Sequence, residues 1–172
     1  YRLAQQRLTQ AGYQHYEISN YARPTYQCQH NRVYWENRPF YGFGMGAASY
    51  LQQQRLQRPR TTHAYEDWVA QYCKAGDTAG TLPGKALTPN DRWLDRLMMG
   101  LRLSEGLSLE ALTQEFGGDR VERLRDCLKP YQHQQWVTIT EPPAPVVKFT
   151  DPEGFLFSNV VLVNLFETFG EA

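Results

Sequence analysis

Tyr16-Glu17-Ile18-Ser19-Asn20-Tyr21-Ala22, then Cys28-Gln29-His30-Asn31-Arg32-Val33-Tyr34-Trp35, then Gly42-Phe43-Gly44-Met45-Gly46-Ala47-Ala48-Ser49-Tyr50: the stretch from 16 to 50 gathers three unusual kinds of residue. Glu17, Cys28 and His30 carry groups that bind ligands or ions. Tyr16, Tyr21, Tyr34 and Trp35 are large amphipathic aromatics, each with an apolar body and a polar tip. Gly42, Gly44 and Gly46 recur at every second position. A surface loop rarely needs all three at once, so this stretch is the place to look for chemistry.

The residues leave several alternatives open. The G-x-G-x-G spacing is not the G-x-G-x-x-G of a dinucleotide site. It reads either as a bulged strand packed on a neighbour or as a strand end where a cofactor approaches the backbone. Cys28 and His30 supply two metal donors, too few for a closed zinc site. His30 reads as a hydrogen-bonded structural histidine, an axial haem ligand or a proton donor. Glu17 is catalytic or ion-paired, and Tyr34 and Trp35 stack on a planar ligand or belong to a core.

Outward from this stretch, the composition narrows the field. The chain has 172 residues, enough for one domain or two small ones, and 41% hydrophobic content is sufficient to bury a core. Eighteen Lys plus Arg balance eighteen Asp plus Glu, which gives no electrostatic reason to expect nucleic acid as a partner. No apolar run is long enough to span a bilayer. Cys28, Cys73 and Cys127 are odd in number and widely spaced, which favours a reducing, cytoplasmic setting over a disulfide framework. Tyr1-Arg2-Leu3-Ala4 already reads as the inside of a helix, so the chain is expected to be a piece of a longer protein.

In order, periodicity predicts a helix over 2–11, a strand over 14–19, a short extended piece at Arg32–Tyr34 and a polar excursion over 52–60. A helix over 63–74 follows, then a linker over 76–86 rich in small residues. Thr88-Pro89 opens a helix with Pro in its first turn. Two more helices follow, one from Ser108 to Gly117 and one capped by Asp119 and running to about Tyr131. Strands are expected at 135–140 and 146–149, and a final helix from Asp151-Pro152 to Phe169. That last helix is apolar on most of its circumference, so burial on more than one side is expected. Three helices and a two-stranded ribbon make a winged-helix-like, mainly helical domain with a helix-turn-helix pair. Its second helix of the pair mixes acidic with basic residues, which favours a docking or lid role over DNA binding.

At Tyr16-Glu17-Ile18-Ser19-Asn20-Tyr21-Ala22 and His30-Asn31-x-x-Tyr34-Trp35 the chain resembles radical S-adenosylmethionine proteins related to oxygen-independent coproporphyrinogen III oxidase. Within that group the second motif resembles the haem chaperone branch. Asp95-Arg96-Leu97-Met98-Met99-Gly100-Leu101-Arg102 and Thr150-Asp151-Pro152-Glu153-Gly154-Phe155-Leu156 carry the likeness along the chain. The resemblance implies an α/β to α+β fold. Residues 1–75 would be the terminal part of an incomplete (β/α) TIM-like barrel with its connecting helix, 76–86 a linker, and 87–172 the winged-helix-like C-terminal domain.

By the same resemblance the whole protein would carry a 4Fe-4S cluster and S-adenosylmethionine, bind haem or a porphyrin, and hand haem to an acceptor protein. Membrane contact would come only through that acceptor. His30, Asn31, Tyr34 and Trp35 match the motif associated with haem. Gly42, Gly44, Gly46 and Ala48 would border the S-adenosylmethionine end of the barrel. Many members carry His at the position of Ala48, a departure that removes a proton-transfer group here. The family's Cys-x-x-x-Cys-x-x-Cys motif is absent from this stretch, so no metal ligand is assigned, no catalytic residue is named, and the piece alone is expected to be inactive. The alternative is the oxidase itself, which converts coproporphyrinogen III to protoporphyrinogen IX.

Overall fold

The structure, a computed structural model, describes residues 1–74 and 85–170. The expected linker at 76–86 therefore falls almost wholly outside the described residues. The chain packs as two compact units, one of Tyr1–Asn37 with Pro89–Ala172 and one of Arg38–Thr88. This grouping differs from the expected parting into 1–75 and 87–172. The reason is a set of contacts between the start and the end of the chain. Arg2 grips Glu153 through two hydrogen bonds of 2.6 and 2.8 Å, Gln5 Nε2 donates to Asp151 at 3.0 Å, and His15 Nδ1 meets Asp151 at 2.8 Å.

The first unit opens with helix α1 (Arg2–Gln10), closed by Gly12 at φ +81, a conformation glycine adopts without cost. Strands β1 (Gln14–Glu17) and β2 (Asn20–Ala22) form an antiparallel hairpin in which His15 faces Tyr21. Helix α2 (Gln29–Trp35) follows, where an extended piece at Arg32–Tyr34 was expected. Val33, Tyr34 and Trp35 favour strands by propensity, but propensity is a weak prior. A helical i,i+4 ion pair, Arg32 Nε to Glu36 at 2.7 Å, closes its last turn.

The second unit holds β3 (Ala48–Leu51), β4 (Gln54–Gln57), helix α3 (Thr62–Lys74) and β5 (Lys85–Ala86). Its antiparallel sheet has the order β3-β4-β5. The expected polar excursion is thus corrected to a hairpin strand. Gln52 and Gln53 both take positive φ, +49 and +60, which gives the tight turn whose twist matches its strands. Only Leu56 and Arg58 of that polar run are buried.

The chain then returns to the first unit with α4 (Pro89–Gly100), β6 (Leu107–Ser108), α5 (Leu109–Phe116), α6 (Gly118–His133), β7 (Val137–Ile139) and β8 (Val146–Phe149). Helices α4, α5 and α6 sit where periodicity predicts them. Ser108 caps α5 by accepting from the Ala111 amide at 3.2 Å. Asp119 is not the cap of α6; it lies in the first turn, and Gly117 at φ +91 precedes the helix. The short strand β6, unforeseen, pairs with β8, so the sheet order is β6-β8-β7. The expected last helix is broken into α7 (Glu153–Leu156) and α8 (Ser158–Phe169), because Phe157 leaves helical geometry between them.

Helices α4, α5, α6 and α8 bury Trp93, Leu112, Leu124, Leu128, Val161 and Leu165 in one core with the sheet. The α8 face that carries Val161 and Leu165 is inside. Val160, Val163 and Phe166 on the other side stay 51%, 56% and 39% exposed within the described chain. The fold is mixed α/β with small sheets. All pairings among the described strands are antiparallel, in place of the parallel neighbours expected of a (β/α) barrel.

Candidate functional site

Helix α2 carries the four haem candidates of the sequence. His30 is exposed near its start, and its Nε2 lies 3.2 Å from the Tyr34 hydroxyl, with the two rings edge to face at 5.0 Å. The spacing of four residues puts both on one helix face. Asn31 is half-buried on the first turn. Trp35 ends the helix and does something different. The Arg102 guanidinium lies 4.3 Å from its ring centroid, a cation over the face of an indole. His30 and Tyr34 are thus brought together, while Trp35 belongs to a separate cluster.

That cluster is built where β1 runs out. Ile18 N donates to Arg102 O at 3.1 Å and Ser104 N to Tyr16 O at 3.0 Å, so the segment after α4 pairs with the end of the strand. The pairing places Arg102 beside Glu17, with Nη2 to Oε2 at 3.6 Å. Glu17 is wholly buried, and Asn20 Nδ2 donates to its Oε1. A buried carboxylate is tolerated only with a cation and hydrogen bonds around it. Of the two readings for Glu17, the structure supports the ion-paired one. Arg102 is the residue sequence reasoning missed; it sits 85 residues from Glu17 in sequence (102 − 17), and no local pattern links them.

A cleft of about 520 Å³ opens next to this cluster, between the start of α1, the β1–β2 turn and the α7–α8 junction, with Arg102 on its wall. Tyr21 lines it, its ring stacked on His15 at 4.0 Å. Burial and the Asp151 carboxylate raise the pKa of Tyr21. Burial, then Tyr21, Asp151 and Glu17, raise that of Tyr1 still further. Both phenols therefore stay protonated at neutral pH.

The glycine candidates lie in the other compact unit. They form a loop, not a strand, and each glycine there has a local reason. A Cβ on Gly42 would sit 2.1 Å from the Ala48 carbonyl oxygen. Gly44 and Gly46 have φ of +85 and +73. The Gly42 amide donates to buried Ser49 Oγ at 3.1 Å, and Arg58 Nη1 donates to the same oxygen at 3.0 Å. Ala48 is exposed at the start of β3. Among the described residues nothing lies within 4 Å of a Cβ built on Gly44.

Among the described residues no three His, Cys, Asp or Glu side chains converge as a metal set. Cys28 is exposed, and Cys127 Sγ donates to Asn164 Oδ1 at 2.8 Å. These side chains do not fit an iron–sulfur cluster. His30 is exposed, and its Nε2 contacts the Tyr34 hydroxyl.

Residues 87–141 match the family profile of the HemN C-terminal domain. The chain is 39% identical over 185 residues to the haem chaperone HemW of Synechocystis sp., an alignment covering 99% of this chain and 44% of that protein. It is 28% identical over 141 residues to the haem chaperone HemW of Lactococcus lactis, covering 78% of this chain and 35% of the relative. Among solved structures, coproporphyrinogen III oxidase (HemN) from Escherichia coli, described as a radical SAM enzyme, matches with a TM-score of 0.61. That match covers 94% of this chain and 39% of the enzyme at 19% identity. The chain spans less than half the length of these relatives.

Proposed function

The chain belongs with the C-terminal part of the family that joins HemW haem chaperones to HemN, and from that premise we propose that its protein binds haem and passes it to an acceptor protein. The observation that carries the reading is the 39% identity to a named haem chaperone across 99% of the chain. His30 is the residue we assign to the iron, with Tyr34 holding its ring and Asn31 beside it.

The proposal extends to the rest of the longer protein. A 4Fe-4S cluster and S-adenosylmethionine would be held mainly outside this stretch, with the loop of Gly42, Gly44, Gly46 and Ala48 bordering the latter. Together they would supply one-electron chemistry. We divide the chain by family relationship rather than by packing: 1–75 as the end of an incomplete barrel, 76–86 as linker, 87–172 as a winged-helix-like domain. The winged-helix assignment is supported by the order α4, β6, α5, α6, β7, β8 with β8 central in the sheet. We place the protein in the cytoplasm. No helix among the described residues is long and apolar enough to cross a membrane.

The test is a titration of the chain with ferric haem, followed by transfer to apomyoglobin. A saturable Soret shift that His30→Ala abolishes, with an unchanged circular dichroism spectrum, is expected. Saturable binding that is identical in the variant removes His30 from the proposal. No saturable binding at micromolar concentrations of the chain overturns haem binding by this stretch. The structural likeness to HemN favours a second reading, coproporphyrinogen oxidase activity of the longer protein, which turnover of the porphyrinogen would reveal.

A further inference from the structure

The cleft beside Arg102 lies apart from His30, Asn31 and Tyr34 of the motif associated with haem, yet it has the makings of an anion-accepting site. Its walls mix apolar Ala4, Ile18, Phe155 and Leu156 with polar Ser19, Ser158 and Asn159. Arg102 contributes a guanidinium whose carbon lies 4.3 Å from the Trp35 ring centroid, a contact that helps hold it in place. Glu17 faces only Nη2, at 3.6 Å, and Nε has no hydrogen-bond partner. The Tyr21 hydroxyl is likewise buried without a partner. Buried polar atoms are nearly always satisfied, so two unsatisfied donors on side chains that line one cleft point to a missing acceptor.

The chemistry of that acceptor follows from the charges. Tyr21 stays protonated and can only donate to an anion. Glu17 already offsets much of the Arg102 charge, which favours a singly charged acceptor over a doubly charged phosphate. The apolar part of the wall, Ala4, Ile18, Phe155 and Leu156, suits a charge carried on an apolar body. A carboxylate on a short aliphatic arm of a large hydrophobic ligand meets all three conditions.

We propose that the cleft receives a propionate carboxylate of the tetrapyrrole, with Arg102 and Tyr21 as its donors and Trp35 as the residue that positions Arg102. This rests on the haem-binding reading above and assigns Trp35 to a role other than stacking on the macrocycle.

The test compares ferric haem with haem dimethyl ester, whose propionates carry no charge, by Soret titration of the 172-residue chain. The wild-type chain is expected to bind haem roughly 10- to 100-fold more tightly than the ester, the weight of a hydrogen bond to a charged group. Removing Arg102 alone would strand the buried Glu17 carboxylate, so the variant is the double Glu17→Gln, Arg102→Met, which discards both charges. Tyr21→Phe leaves the ion pair intact and controls for folding. Both variants should lose most of the preference for haem while their affinity for the ester stays within about twofold. Equal wild-type affinity for haem and ester overturns the inference but leaves haem binding standing. So does a preference that survives in both variants. If neither haem nor the ester binds, the haem reading itself is overturned, and the inference with it.

Discussion

Replacing Arg102 by Met tests the cluster at the end of β1. Met keeps the apolar stem of the side chain and most of its packing but removes the cationic head. Glu17 is 0% exposed and has Asn20 as its one hydrogen-bond donor, so the change leaves a buried carboxylate without a counter-charge. Removing one member of a buried ion pair costs about 3–5 kcal/mol. The side chain of Arg102 is 25% exposed, which relieves part of the desolvation and places the expectation near the lower end. Loss of the cation over Trp35 at 4.3 Å adds about 0.5–1 kcal/mol. We therefore expect Arg102→Met to destabilise the chain by about 4 kcal/mol in urea unfolding. Glu17→Gln should cost only about 1 kcal/mol, because Arg102 can turn its head to water and Asn20 keeps an acceptor. The double variant should be about 2 kcal/mol more stable than Arg102→Met alone, the signature of a coupled pair. If the two substitutions add within about 0.5 kcal/mol, no such pair exists and the cluster has been misread.

Four other outcomes follow from single positions. Tyr34→Phe removes the hydroxyl that engages His30 Nε2 at 3.2 Å, so haem affinity should rise by roughly 2- to 10-fold in a Soret titration; a fall would show that the hydroxyl supports the ligand instead. Gly106→Ala introduces a Cβ 2.3 Å from the Val147 carbonyl oxygen at φ +75, and should cost more than about 3 kcal/mol. Gly44→Ala, at φ +85 with open space around it, should cost only about 1 kcal/mol, both read by thermal unfolding. Burial works to raise the Glu105 pKa, but its hydrogen bond to Arg32 prevails and holds it below the ordinary carboxylate value. Its contribution is thus full above that value and disappears as pH falls through the lower folded-state value. Glu105→Gln should lessen the loss of stability in acid, and identical acid profiles for both proteins would deny the Arg32 contact any weight.

The sequence made the helices legible where burial is periodic. Val121, Leu124 and Leu128 fall three and four apart, and a helix is the one structure that buries all three. Strand β4 offered no such signal, because Gln54-Arg55-Leu56-Gln57 buries one residue and is held by its turn and its neighbours. Helix α2 was masked by Val33, Tyr34 and Trp35, whose strand preference yields to local ion pairing. In the candidate site, His30, Asn31, Tyr34 and Trp35 were legible as one motif. The pairing of His30 with Tyr34 was not, because it depends on the helix that forms where an extended piece was expected. Trp35 with Arg102 and Glu17 was not, since their meeting depends on the segment after α4 pairing with β1. Reading Glu17 as ion-paired needed the cation that only the fold supplies.

The clasp of Arg2 on Glu153 and of His15 on Asp151 bears on how the molecule assembles. These partners are separated by 151 and 136 positions, and the whole of Arg38–Thr88 lies between the two halves of their unit. Contacts so distant along the chain demand closure of a long loop before they return any energy, which slows folding. On a ribosome, α1 and the β1–β2 hairpin emerge before α7 and must wait for it to be made. Until then the face of His15 that will meet Phe155 stays open to water. Synthesis of α7, not of α1, is the event that completes this unit, and a chain stalled before Asp151 would leave the β1–β2 hairpin without the partner that fastens it.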